Sequence, residues 1–192
     1  MRLYTIIPAA GKSKRMGINK YLLSINNKSM IRMVIDNLLD ADLENIYLVL
    51  SENSPIYNEV ADYQKINILI NNLEPSEMAD SIRIALKNIN MTDEDGVLIT
   101  PADMPFINKD TLKLLTKYFV LHKNHITIPI YKGRKGHPII IPSKIIYELF
   151  FANTLRDVIK NNESSIFYVE VNDKAILMDI DTVEDYKNIQ KQ

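Results

Sequence analysis

The chain has 192 residues, 46% hydrophobic and 24% charged, an ordinary globular balance that excludes a disordered chain, a collagen and a coiled coil. Twenty-three Lys and Arg against 24 Asp and Glu leave a net charge of −1, so no basic excess is available for gripping nucleic acid and no strong charge for a membrane surface. The chain has no cysteine, which removes disulfide scaffolds, thiolate metal sites and cysteine nucleophiles together.

In chain order, Leu3–Pro8 reads as a buried strand. Ile31, Val34, Ile35, Leu38 and Leu39 then recur at helical spacing and make one apolar helix face. Ile46–Leu50 is the next strand, Ser54–Tyr63 a short helix and Ile66–Ile70 a third strand. Met78, Ile82, Ala85, Leu86 and Ile89 make a second helix face, followed by a strand over Val97–Thr100. Thr111–Leu121 is a helix with Asp110 as its N-cap. Strands alternating with helices in this way predict a mostly parallel sheet covered on both faces.

The second half is less regular. Thr127–Tyr131 and Ile139–Ile141 read as strands joined by a polar turn at Lys132–Gly136. Ile145–Phe150 and Leu155–Ile159 read as helical, and Phe167–Val171 and Ile176–Met178 as short strands. Thr182-Val183-Glu184-Asp185 has the spacing of a capping box and opens a last helix. With no repeat or linker, residues 1–192 read as a single domain. No run of about 18 apolar residues occurs, and Met1–Ala10 is not built like a signal peptide; a cytoplasmic protein without a membrane partner is expected.

Four segments carry candidate chemistry. Ala9-Ala10-Gly11-Lys12-Ser13-Lys14-Arg15-Met16-Gly17 follows the first strand, with Lys20 shortly after. Small residues there let a backbone approach a ligand, and successive N–H groups with nearby cations can cradle phosphates. It is not a Walker A loop, because Ile6 stands where the first glycine is required. Pro101-Ala102-Asp103-Met104-Pro105 holds one carboxylate on a stiff backbone at a strand end, where an acid beside a triphosphate would bind Mg²⁺. Asp179 and Asp181 lie two apart, on the same side of an extended chain; helix capping is the simpler account of Glu184 and Asp185. In Gly136-His137-Pro138 the proline keeps His137 extended.

Pro8–Lys20 resembles the L-A-A-G-x-S-x-R-M-G-x-x-K signature of nucleotidyltransferases similar to molybdenum cofactor cytidylyltransferase, the MobA-like NTP transferases. Pro101–Pro105 is similar to that family's P-x-D-x-P segment, Gly136–Pro138 to its G-H-P loop and Asp179–Asp185 to its D-I-D-T-x-E-D tail. The resemblance implies a Rossmann-like, glycosyltransferase-A-type three-layer sandwich with a mostly parallel mixed sheet. It implies nucleotide binding by Ala9, Ala10, Gly11, Lys12, Ser13, Arg15, Lys20, Met78, Ser81 and Asp103. Lys20, Arg15 and Asp103 would be catalytic, Asp103 and Asp181 would hold Mg²⁺, and Gly136 and His137 would meet the acceptor.

The implied reaction moves CMP from CTP to the phosphate of molybdopterin and releases pyrophosphate, with a molybdoenzyme or cofactor-insertion protein as a further partner. Transfer to another small sugar or polyol phosphate, or nucleotide binding without turnover, are the alternative readings. The chain departs from the pattern in two places. Pro8 replaces a leucine, and Glu77 and Asp80 put acids into a segment similar to G-M-x-x-S, where they would repel an anionic acceptor unless they face away. A methyl at Ala10 narrows a base pocket in favour of a pyrimidine.

Overall fold

Leu3–Ala9 (β1) is a run of apolar and β-branched residues, buried after Leu3, as expected of a strand covered on both faces. The computed structural model describes residues 1–11 and 19–189. A small hairpin, Ser24–Ile25 (β2) and Lys28–Ser29 (β3), leads into a helix at Met30–Asp40 (α1). Asn45–Ser51 (β4), Ile56–Glu59 (α2), Ile66–Asn71 (β5), Met78–Lys87 (α3), Gly96–Ile99 (β6) and Lys109–Leu121 (α4) complete the first half. The second half contains Ile126–Tyr131 (β7), Arg134–Lys135 (β8), Ile139–Pro142 (β9), Ser143–Ile146 (α5), Leu155–Asn161 (α6), Ile166–Glu170 (β10) and Val183–Ile189 (α7).

The main sheet runs β10-β7-β9-β6-β1-β4-β5, with β8 paired to β7. β1 pairs in parallel with β4 on one side and β6 on the other. β9 runs antiparallel to both neighbours, β6 and β7, and β10 is parallel to β7. This is the α/β class read from the sequence, a mostly parallel mixed sheet between helical layers. Strand alternation divides the core. Ile7, Leu48 and Leu98 face α1 and α4, whereas Ile6, Val49 and Ile99 face α3, α5 and α6. Because the chain leaves β1 toward β4 and β5 and then returns to β6 on its other side, the carboxyl end of β1 is a switch point, where open α/β sheets bind ligands. Among the described residues no helix is long and apolar enough to cross a membrane.

Several local expectations are corrected. The helix anticipated over Ser54–Tyr63 shrinks to α2, because Arg32 takes the Glu59 carbonyl at 2.7 Å and pairs with both oxygens of Asp62 at 2.9 and 2.7 Å, ending the helix there. The N-cap of α4 is Asn108, which accepts from the Asp110 N–H at 2.9 Å, so Asp110 lies in the first turn. The strand anticipated at Ile176–Met178 is a 3₁₀ turn over Lys174–Leu177. Asp173 accepts the Ala175 N–H with one oxygen and accepts from Asn108 and Thr111 of the α4 start with the other, which begins a helical turn and pins it to the start of α4. Within the anticipated turn Lys132–Gly136, only Lys132 and Gly133 turn. Both have positive φ, 49° and 75°, as a tight hairpin between right-twisted strands requires. The capping box is present at 3.1 and 2.8 Å between Thr182 and Asp185.

Candidate functional site

Two cavities open at the carboxyl edge of the sheet. The first, about 680 Å³, is walled by Ala10 and Gly11 after β1, Ser51 and Glu52 at the end of β4, and residues 71–76 after β5. Asn71 organises the last wall. Only 2% exposed, its amide donates to Ser76 at 2.6 Å and to Ser81 at 3.1 Å, and its carbonyl accepts the Leu73 N–H at 3.0 Å. Sequence reasoning missed Asn71; the available signal was a polar side chain closing an apolar strand. Ala10 is on the cavity, as anticipated. The Ala9 side chain instead packs in the core beneath the sheet and can serve a ligand only through its backbone. Lys12, Ser13 and Arg15 lie outside the described residues.

The second cavity, about 480 Å³, is bounded by Met78, the 101–104 segment, residues 134–137 and residues 176–181. Two of its lining residues, Asp103 and Asp181, form an ion triad with the buried Lys20. Asn19 caps a 3₁₀ turn over Lys20–Leu22 by accepting the Tyr21 N–H at 3.2 Å, which directs Lys20 inward. The Lys20 ammonium donates to one oxygen of Asp103 and one of Asp181, at 2.6 Å each. The Lys20 side chain is 9% exposed, Asp103 17% and Asp181 41%. Asp181 arrives beside Asp103 because the Ile180 N–H donates to the Asp103 carbonyl at 3.0 Å. Ile180 is buried, while Asp179 and Asp181 on either side of it both line the cavity.

Burial works against the charge on Lys20, but hydrogen bonds to Asp103 and Asp181 and the Asp103 charge outweigh it, so its pKa lies above the ordinary lysine value. Beneath it, burial and the Asp103 charge push the Tyr21 phenol up to about 12. The Tyr21 ring is 5.6 Å from the ammonium, and its hydroxyl would lie 3.7 Å from a Cβ at Gly11.

The remaining anticipated residues divide. Met78 leaves the core face assigned to it and stands half-exposed on the second cavity, one turn before the buried anchor Ile82. Ser81 is 2% exposed and accepts from Asn71, so it supports the wall of the first cavity instead of contacting a ligand directly. Of the acids at 77 and 80, Asp80 is engaged within its own helix. Asp80 accepts the Glu77 N–H at 3.0 Å, opening α3, and pairs with Arg83 at 2.8 Å. Gly136 is on the cavity wall, but its lack of a side chain is required by packing: a Cβ there would lie 2.3 Å from the Ile176 carbonyl oxygen. His137 is half-buried on the same wall, with Nδ1 buried and without a hydrogen-bond partner. Burial lowers its pKa, opposed by the charges of Asp103 and Asp179, so the ring is neutral at pH 7.

Among the described residues no three His, Cys, Asp or Glu converge as a metal cage. Asp103 and Asp181 each place one carboxylate oxygen 2.6 Å from the Lys20 ammonium, and carboxylate oxygen is the donor type that a hard divalent cation takes beside water and substrate phosphates.

A family model described as the MobA-like NTP transferase domain matches residues 5–165. The chain is 24% identical to the molybdenum cofactor cytidylyltransferase of Escherichia coli (strain K12) over 186 residues, 94% of this chain and 92% of that protein. It is 30% identical to a probable molybdenum cofactor guanylyltransferase of Natranaerobius thermophilus over 129 residues, 67% of this chain and 60% of that one. The fold is shared with the manganese complex of Rv0371c from Mycobacterium tuberculosis H37Rv, at TM-score 0.81 and 19% identity, covering 100% of this chain and 99% of the other.

Proposed function

The chain belongs to the MobA-like NTP transferase family and is a nucleotidyltransferase, and from that premise we propose that it transfers CMP from CTP to the phosphate of molybdopterin with Mg²⁺. The observation that carries this reading is the convergence of Lys20, Asp103 and Asp181 beside the glycine turn after β1, at the switch point of the sheet. An oxygen of the acceptor phosphate attacks the α-phosphorus of CTP. The new P–O bond forms as the bond to the bridging α–β oxygen breaks, and pyrophosphate departs. An acceptor that is already a phosphate anion needs no general base, so the protein's task is alignment and charge compensation.

The cavity at Ala10 and Gly11 takes the nucleoside, and the cavity at His137 takes the acceptor. Asp103 and Asp181 would hold the metal, which supplies charge neutralisation to the phosphates when bound. Lys20 places an ammonium at the junction, within reach of the α-phosphate. Arg15 serves the departing phosphates, a role resting on its place in the signature alone. His137 offers the acceptor a neutral ring. Its position on the cavity wall supports that role, and Gly136 only permits the close packing behind it.

A second reading, GMP transfer, draws on the guanylyltransferase relative. The choice turns on Ala10, 8% exposed at the edge of the nucleoside cavity. One methyl in a pocket is worth about 1–3 kcal/mol, or a preference of about 10- to 200-fold. The test is pyrophosphate release with CTP and GTP against molybdopterin and a panel of sugar and polyol phosphates. CTP should give the higher kcat/KM with molybdopterin, and Ala10→Gly should relax the choice toward GTP. A native preference for GTP refutes the cytidylyl reading.

A further inference from the structure

A third cavity, about 600 Å³, shares no lining residue with the two already described. Its walls come from the β2–β3 hairpin, from Phe106, from the 3₁₀ turn over Lys174–Leu177 with Met178 after it, and from the end of α7. Ile25, Phe106, Ala175 and Met178 make the interior apolar. The lining carboxylate, Asp173, is committed to the protein. One of its oxygens accepts the Ala175 N–H at 3.0 Å, and the other accepts the Asn108 N–H at 3.0 Å and the Thr111 hydroxyl at 2.8 Å. Lys174 and Asn26 are exposed residues of the same wall and bring an ammonium and an amide to it. Small-molecule sites of about 300–1,000 Å³ have this composition, mostly apolar with a few polar groups that fix orientation. The cation and the amide suit an anion, and the apolar interior suits an aromatic or aliphatic body.

The same walls adjoin the charged site along the chain. Phe106 is three residues after Asp103, and Met178 is three residues before Asp181. The Ile180 N–H, 3.0 Å from the Asp103 carbonyl, ties those two segments together. The hairpin follows the Lys20–Leu22 turn and is held to α7 by the Tyr186 hydroxyl, which donates to the Ser24 carbonyl at 2.6 Å. A molecule that spreads or tightens these walls therefore moves the segments bearing Asp103 and Asp181 without touching either carboxylate.

We propose that this cavity is an effector site for a small aryl or alkyl monoanion, held by Lys174 and Asn26 with its apolar body against Phe106 and Met178, and that its occupancy changes nucleotide affinity. The coupling to nucleotide rests on the transferase reading; the site itself does not.

The probe is anilinonaphthalene sulfonate, an aryl monoanion, titrated into the full chain and followed by its fluorescence. Saturable binding is expected. Lys174→Glu, a change at an exposed position, should raise the Kd at least about fivefold. Met178→Cys gives a chain without cysteine a single thiol, and saturating probe should slow its alkylation by iodoacetamide at least about fivefold, because alkylation requires access. No saturable binding, or an unchanged Kd in Lys174→Glu, overturns the site whether or not the cysteine variant folds. Alkylation of folded Met178→Cys that the probe does not slow overturns it as well. As CTP is raised, the Kd of the probe should move to a plateau at least about twofold from its starting value, because linked sites have a finite coupling. A Kd that climbs without limit places the probe in the nucleotide cavity, and a constant Kd while CTP binds removes the link; either overturns the effector role. The transferase reading fails separately, if a direct calorimetric titration shows no CTP binding. The coupling then falls with it, and the site is still decided by Lys174→Glu and Met178→Cys.

Discussion

The cavity beside Ala10 takes its walls from the ends of three adjacent parallel strands, whereas the cavity around Asp103 gathers residues from four segments spread between 78 and 181. The first is close to its scaffold. Each wall is the loop that directly follows β1, β4 or β5, and the organising side chain, Asn71, is a neutral amide with its bonds made inside the wall. The second is electrically loaded, with Asp103, Asp179 and Asp181 lining one hollow, the buried Lys20 hydrogen-bonded to two of them and His137 at its side. It closes only when the tail after β10 returns across the sheet and Ile180 docks on Asp103. Recognition by shape and backbone is therefore assigned to the first cavity, and management of charge to the second.

The sharpest way to break this division is Asp103→Asn. The amide keeps the shape and can still accept from Lys20, but loses the charge that would hold a hard cation in the proposed reaction. Because metal stabilisation of a phosphoryl transfer is worth several kcal/mol, kcat for pyrophosphate release should fall at least about 100-fold. Asp181→Asn should cost less, since Asp181 is the more exposed of the two carboxylates. Full turnover by Asp103→Asn would remove charge from the account of the second cavity.

Gly136→Ala attacks the same cavity through packing. The added methyl meets a backbone oxygen at 2.3 Å and two side-chain carbons of Ile176 at 2.8 Å, and a backbone atom cannot rotate aside. A loss of about 1–3 kcal/mol follows, read as a melting temperature lower by about 2–12 °C. An unchanged melting temperature would mean that the tail is free to shift.

Asn71→Ala tests the other side of the comparison. It strips three hydrogen-bond partners from the wall of the first cavity. The KM for the nucleotide should rise about tenfold while kcat changes little, the pattern of lost binding that is equal in ground and transition states. A fall in kcat as large as the rise in KM would show that this wall also positions the reacting phosphate.

The smallest effect concerns His137. Its folded pKa lies below the unfolded value of about 6.5, so the unfolded chain binds more protons as pH falls. Stability is thus present above pH 6.5 and is lost progressively below it. Thermal melts from pH 7 to pH 5 should show that decline, and His137→Asn should make it shallower. An identical slope in the variant would assign the decline to other groups.

Short-range patterning alone determined much of this protein. Alternating apolar runs and helical faces specified the parallel half of the sheet, and Thr182 with Asp185 specified the start of α7, because backbone period and capping depend on residues a few positions apart. The motif at Ala10–Gly11, the rigid Asp103 segment and the Asp179/Asp181 pair were equally legible, since each is contiguous. Tertiary structure alone decided the antiparallel insertion of β9 between β6 and β7, the burial of Ser81 beneath Asn71 and the packing of Gly136 against Ile176. It also decided that Lys20 stands between two carboxylates 83 and 161 residues away. Local sequence sets the type of each element and the charge it carries. Which charges end up 2.6 Å apart depends on how distant layers pack and where the last segment docks, and no local period records that.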